Sequence, residues 1–268
     1  MLPAMPTRLA LHTWTLLSTK VADILKVARS AGWDGVEISR QSISAAMPID
    51  EIARLVKASG LPVACVGAGS GWMWSDGDAR RAMLATFDEA CGVAASLDCR
   101  VVMSPVDQGT GDLAQAAAGV REVGDIASRH GVRLAVEFNS LAKQLNSLER
   151  ARELMERAAH PACGLLLDTY HLGRSGATMR QIEDVAPREI VYVQYSDVPR
   201  TGLKPGYALD RLPPGHGSFA FKEFFALMTA KNYVGFLSYE APNETAWTRP
   251  PDDVAREALS ATRAVLPG

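Results

Sequence analysis

Four short apolar runs in the second half of the chain each end in a residue able to hold a metal ion. Runs 132–137, 165–168, 190–194 and 236–240 end in Glu137, Asp168, Gln194 and Glu240. One acid at a strand end would most simply face solvent. Four polar groups in succession read differently, because crowded, buried carboxylates repel one another unless a cation compensates them. Three carboxylates and one amide oxygen form a hard donor set, suited to one divalent ion, Mn²⁺ or Mg²⁺ in preference to Zn²⁺.

The histidines divide into two groups. His130 and His160 stand just before Gly131 and Pro161, at expected helix C-termini, where an imidazolium suits the helix dipole. His12, His171 and His216 fall on the same side of the strand pattern as the four candidate ligands. His171 follows Asp168 by three residues and is the candidate for orienting substrate or moving a proton. His12 ends the first strand, where packing is the competing role. The stretch 197–217 is rich in Pro, Gly and Arg, and loops of this length are usually functional. Its Arg200 and Arg211 are candidates for holding a hydroxyl, carboxylate or phosphate, with a solvated surface role as the alternative. Trp14, Trp72 and Trp74 would wall the pocket or cap the barrel mouth. Glu37, Ser104 and Asn139 are weaker candidates, Glu37 as a supporting acid.

The elements that must position these groups alternate strictly. Strands are expected at 9–13, 35–38, 61–67, 100–104, 132–137, 165–168, 190–194 and 236–240. The intervening helices carry caps at Ser18-Thr19, Asp112, Ser147 and Thr178, with Gly32 and Gly60 as stops. Eight strand–helix pairs predict an α/β fold, a single (β/α)8 TIM barrel over residues 1–268, with the catalytic face at the strand C-termini. The stretch Gly67-Ala68-Gly69-Ser70-Gly71 runs into Trp72-Met73-Trp74 and not into a helix start, so it is a poor phosphate cradle.

Composition excludes several classes. The 268 residues carry a net charge of −2, which offers nothing for nucleic acid or an acidic membrane. Four scattered cysteines without a CxxC pair suit a reducing compartment. The N-terminal residues 1–8 lack the features of a signal peptide, and no apolar run is long enough to cross a bilayer. A cytoplasmic protein is the expectation.

Five segments are similar to the xylose-isomerase-like barrel superfamily: Gly32-Trp33-Asp34-Gly35-Val36-Glu37-Ile38, Leu167-Asp168-Thr169-Tyr170-His171-Leu172, Val193-Gln194-Tyr195-Ser196-Asp197-Val198-Pro199, Arg211-Leu212-Pro213-Pro214-Gly215-His216-Gly217 and Ser238-Tyr239-Glu240. That superfamily includes sugar epimerases, hydroxypyruvate isomerase, inosose dehydratase, 3-dehydroshikimate dehydratase and endonuclease IV. The resemblance implies metal ligands Glu137, Asp168, Gln194 and Glu240, with Gln194 in place of the commoner histidine. It also implies that His216 replaces the acid of a Pro-Gly-Glu-Gly loop. The endonuclease reading fails, since it needs three zinc ions, more histidines and a basic surface.

The expected activity is isomerisation or epimerisation of a small polyol, ketose or keto acid by proton abstraction next to a carbonyl. Glu137 and Glu240 would serve as base and acid through an enediolate that the ion stabilises, with His171 on the substrate oxygen. His12, Trp14, Trp72, Arg200, Arg211 and His216 complete the expected substrate contacts. The alternatives are a dehydratase, with His171 or His216 protonating the departing hydroxide, and a sugar-binding barrel or partner subunit without turnover. Many such barrels pair through their outer helices, so a homodimer is a further expectation.

Overall fold

The computed structural model describes residues 7–44 and 46–267. The expectation of a missing signal peptide rests largely on residues 1–6, outside that range. Eight parallel strands close into a barrel in sequence order: β1 (Arg8–His12), β2 (Gly35–Ile38), β3 (Val63–Gly67), β4 (Val101–Pro105), β5 (Arg133–Glu137), β6 (Cys163–Asp168), β7 (Ile190–Tyr195) and β8 (Phe236–Tyr239). Helices α1 (Val21–Ala31), α2 (Ile49–Ser59), α3 (Gly77–Ser96), α4 (Leu113–Arg129), α5 (Leu148–Ala158), α6 (Thr169–Arg174), α7 (Met179–Glu183), α8 (Phe221–Ala230) and α9 (Pro251–Val265) follow the strands. Among the described residues no helix is long and apolar enough to cross a membrane.

The period of two along each strand decides what faces the barrel axis. Ala10, Ala64, Cys65, Met103, Ala135, Leu166, Tyr192 and Phe236 belong to an inner cluster filling the barrel. Their strand neighbours, among them Leu11, Val102, Leu134, Val136, Leu165, Leu167, Val193 and Leu237, join the larger core against the helices. Continuing the alternation to the strand C-termini turns His12, Glu37, Glu137, Asp168, Gln194 and Glu240 inward. It turns Ser104 outward, and that side chain is buried against the Trp72 indole.

Local chemistry explains most boundaries. Asp112 and Ser147 cap α4 and α5 by accepting from the backbone of Ala114 and Arg150. Thr178 and Gln181 close a capping box on α7. Gly32 and Gly60 stop α1 and α2 in the left-handed conformation. The expected cap of α1 at Ser18-Thr19 is corrected: Lys20 is the N-cap, without a side-chain bond, and Ser18 Oγ instead donates to Trp247 O at 2.8 Å. Helix α6 was not expected from the sequence, because six residues are too few for an apolar stripe.

Candidate active site

The centre is built where β5 to β8 end. Asp168 and Gln194 are register partners on β6 and β7, and Gln194 in turn pairs with Ser238 on β8. Glu137 closes β5, and Glu240 is the first residue after β8. All four are buried, Asp168 and Gln194 completely.

Asp168 does two things at once. Its Oδ1 accepts from the Tyr170 amide at 2.9 Å and so caps α6, which leaves Oδ2 free to face the barrel mouth. Because Asp168 caps that helix, the residue three further on lies one turn above it on the same face. This gives the Asp-x-x-His spacing its physical meaning. His171 Nε2 lies 3.8 Å from Asp168 Oδ2 and 3.8 Å from Glu137 Oε1. Glu137, Asp168 and His171 thus form a group whose ligand atoms lie within 4.8 Å of one another. Glu240 stands outside that group, its Oε2 turned to Arg211.

Arg211 is the centre's cation. Its Nη1 donates to Asp168 Oδ2 at 2.7 Å and to Glu240 Oε2 at 2.9 Å, and its Nη2 lies 3.3 Å from His171 Nε2. A guanidinium can only donate, so this contact assigns Nε2 as acceptor and sends the Nδ1 proton to Ser140 Oγ at 2.9 Å. The Ser140 amide, 3.3 Å from Nδ1, would be bonded in the other tautomer. The Arg211 guanidinium also rests 4.5 Å above the Tyr170 ring, whose hydroxyl donates to Asp210 at 2.6 Å.

Asp197 holds the loop that delivers Arg211. Its Oδ2 accepts from Gly215 and Gly217 N–H at 2.9 and 2.7 Å, and its Oδ1 accepts from Val198 and Phe219 N–H, both at 2.9 Å. A Cβ on Gly217 would meet Val198 O at 2.1 Å, and Gly215 has φ of +84°, so both positions suit glycine for backbone reasons. His216, between them, is exposed. The loop turns that side chain, an expected substrate contact, to solvent and away from the buried cluster.

Three further candidates lie apart from the cluster. Trp72 is fully buried behind the barrel wall, its Nε1 donating to Ser104 Oγ at 3.0 Å and its ring packed on Gly119 of α4, so it cannot wall a pocket. Arg200 is exposed on the loop, and no hydrogen bond joins it to the centre among the described residues. Trp14 is half-buried, with its carbonyl accepting from the Trp247 indole, a position beside the mouth and not in the cluster. The glycine-rich stretch is likewise no phosphate cradle: the amides of Gly71, Met73 and Trp74 all donate to Asp107. Asn139 is spent on the Leu141 amide. His130 and His160 bind Asp88 and Asp125 on the outer surface, at 3.1 and 3.3 Å.

His12 bridges the first and last strands. Its Nδ1 accepts from the Trp14 amide, and its Nε2 lies 3.5 Å from Glu37 Oε1 and 3.4 Å from Glu240 Oε1. Glu37, fully buried, accepts from Gln194 Nε2 at 2.8 Å and from the Tyr192 hydroxyl at 3.1 Å. Sequence reasoning missed Tyr170, Ser140 and Asp197. Only Asp197 left a signal, an acid ahead of a Gly-x-Gly stretch.

Burial dominates the electrostatics. It raises Glu137 well above the carboxylate range, with the charges of Glu240 and Asp168 adding to the effect. It raises Glu240 to about 7 against the pull of Arg211, and Glu37 to about 8 with help from Glu240. Burial pushes Asp168 up as well, but Arg211, His171 and the Tyr170 amide outweigh it and hold Asp168 below its ordinary value. Burial lowers His12 and His171 to about 3, so both are neutral. Among the described residues, Glu137 Oε1 and Gln194 Oε1 are two of the buried side-chain atoms without a hydrogen-bond partner. Acceptor oxygens left bare among acids that burial holds protonated fit a divalent cation, which would displace those protons.

A closed eight-stranded parallel barrel with an acidic, histidine-bearing cluster at its C-terminal mouth defines the class. The chain belongs to the xylose isomerase-like TIM barrel family, whose model matches residues 25–265. It is 31% identical over 139 residues to a 3-dehydroshikimate dehydratase of Pseudomonas aeruginosa, a match covering 50% of this chain and 22% of that protein. It is 27% identical over 122 residues to an inosose isomerase of Halalkalibacterium halodurans, covering 44% of this chain and 43% of that one. The matched region therefore spans less than half the length of either relative. A crystal structure of the IolI protein with a bound zinc atom superposes with a TM-score of 0.86 at 17% identity, over 97% of this chain and 98% of that one. At that identity the likeness carries the fold alone.

Proposed function

We propose that the chain is a divalent-metal-dependent isomerase or epimerase of a small polyol ketone, ketose or keto acid. The observation that carries the reading is a pair of glutamates. Glu137 and Glu240 end strands three apart around the barrel, both are held above the ordinary carboxylate range by burial, and they flank Asp168, His171 and Arg211. Two such groups suit removal of a proton on one side of a substrate and its return on the other. Glu137, Asp168, Gln194 and Glu240 would hold the ion, with His171 as a further candidate ligand. A bound Mn²⁺ or Mg²⁺ acidifies the C–H next to the substrate carbonyl. The oxygen-rich set favours these ions, and the zinc of IolI keeps Zn²⁺ among those to be tested.

The protein's own groups do the rest. Glu137 or Glu240 takes the proton in its ionised form and its partner supplies one. His171 and Arg211 orient the substrate oxygens, and the barrel floor excludes water. The 31% identity to a dehydratase supports a second reading, in which the same proton abstraction is followed by loss of a β-hydroxyl. With His216 in solvent and His171 Nε2 an acceptor, the protonated member of the Glu137–Glu240 pair would supply the proton that the departing hydroxide needs.

The test is incubation of the Mn²⁺-loaded protein in D₂O with ketoses, hydroxypyruvate, inososes and 3-dehydroshikimate, followed by proton NMR. Loss of an α-proton signal without a new alkene is the expected result. A new vinyl or aromatic signal selects the dehydratase, and silence with bound metal overturns both readings for these substrates.

A further inference from the structure

Gln194 is an amide, and an amide presents either an oxygen or an NH₂ to whatever faces it. Only the oxygen can bind a cation. Which end turns toward the centre depends on what holds the other end. In this chain that group is Glu37, two strands from β8 in the closed barrel and completely buried. Its Oε1 accepts from Gln194 Nε2 at 2.8 Å, while its Oε2 is taken by the Tyr192 hydroxyl at 3.1 Å. The amide nitrogen is therefore committed to Glu37, and Gln194 Oε1 is left buried without a partner among the described residues. His12 Nε2, 3.5 Å from the same Glu37 oxygen, limits how far that carboxylate can move.

We propose that Glu37 is the positioning residue that fixes the orientation of the Gln194 amide and so makes Gln194 an oxygen ligand of the centre. This rests on the metal-binding reading given above. Glu37 touches neither ion nor substrate in this role. It acts through Gln194, as groups behind metal ligands commonly do, and their loss typically weakens binding about 10- to 100-fold. The inference also accounts for an amide at a site otherwise made of charged ligands. With its nitrogen tied down, Gln194 adds a fourth oxygen donor to three carboxylates without a fourth negative charge.

The test measures Mn²⁺ affinity by electron paramagnetic resonance of the free ion, at one pH, for the wild type, Glu37→Gln, Gln194→Ala and the double variant. Glu37→Gln offers an NH₂ where the carboxylate accepted, so the Gln194 amide can turn over. The expected loss of affinity is about 10- to 100-fold. In the Gln194→Ala background the same substitution is expected to change affinity less than about threefold, because the group it positions is gone. A general weakening of the fold would show the same loss in both backgrounds, and that outcome overturns the proposal. Unchanged affinity in Glu37→Gln overturns it too. Should that variant not fold, Glu37→Asp keeps the carboxyl group but withdraws it by one methylene from the amide. The same loss is expected there, and its absence overturns the assignment. A wild type that holds no divalent ion overturns the metal reading itself, and Glu37 with it.

Discussion

The two mouths of the barrel carry opposite charge and settle it differently. At the C-terminal mouth Glu137, Asp168 and Glu240 gather about one cation, Arg211, and Glu37 lies behind Gln194 and His12, all of them buried. At the N-terminal mouth Arg8, Lys57, Arg100, Arg133 and Lys231 ring a cavity of about 750 Å³ with one acid, Asp98. Three of those cations donate to backbone carbonyls: Arg8 to Val234 O, Arg100 to Gly131 O and Lys231 to Glu183 O and Val185 O. Lys57 lies in the last turn of α2, and Lys231 is the C-cap of α8. Helices in this fold run antiparallel to the strands, so their negative ends gather at this mouth and receive the cations. Charge at the N-terminal mouth is thus answered largely by backbone carbonyls. At the C-terminal mouth the buried groups have mainly one another, and their proton affinities shift accordingly. A barrel can stabilise itself at one end and hold charge out of balance at the other.

The contrast breaks first at the acids. Glu240→Gln is expected to lower turnover by about 10³-fold with the melting temperature nearly kept, checked by NMR turnover and calorimetry. Wild-type turnover in that variant removes Glu240 from the chemistry. Asp197→Ala deprives four backbone N–H groups of their acceptor and releases the loop that carries Arg211. A loss of about 3–5 kcal/mol in urea unfolding, with activity falling alongside, is the expected outcome. A loss within 0.5 kcal/mol would mean that the loop holds without its hub.

A pH series sharpens the comparison. Glu37 and Glu240 are raised from 4.5 to about 8 and about 7. A carboxyl that binds its proton more tightly in the folded state favours folding while protonated. Its contribution is complete below about pH 4.5 and is lost as pH rises through 7 to 8. His12 and His171, lowered to about 3, act in the opposite sense, and only below about pH 6.5. Between pH 6.5 and 8 the acids therefore decide. Chelator-treated protein should lose stability across this window, by at most ~1.4 kcal/mol per pH unit for each group, and Mn²⁺ should raise its melting temperature more at pH 8 than at pH 5. An equal effect of Mn²⁺ at both values argues against these acids as the ion's partners.

The smallest effects belong to the exposed positions. Arg133→Ser at the N-terminal mouth and His216→Ala on the loop are each expected to leave stability within about 0.5 kcal/mol and turnover within twofold, read by urea unfolding and by the NMR assay. A tenfold loss in His216→Ala would return that side chain to the site.

Much of this was legible in the residues themselves, because period and spacing are local properties. Alternating apolar runs and helical stripes specify eight strand–helix pairs, and each run's terminal polar residue marks the mouth. Asp168 with His171 three residues on is readable as a helix cap followed by its first turn, although α6 itself is too short to show a stripe. What local pattern cannot contain is which way a side chain turns once distant strands meet. Trp72 and Ser104 follow strands at the right end, but the parity of β4 sends Ser104 outward and the Trp72 ring goes with it. Arg200 and Arg211 look alike in the loop. Only the Asp197 hub and the Tyr170 ring bring one of them into the cluster and leave the other in water. The amino-acid order alone thus determined the barrel and the acids at its mouth, since strand period and composition are written residue by residue. Tertiary structure alone decided that Arg211 sits among those acids and that Glu37 holds the Gln194 amide, because both contacts join groups that only barrel closure brings within bonding distance.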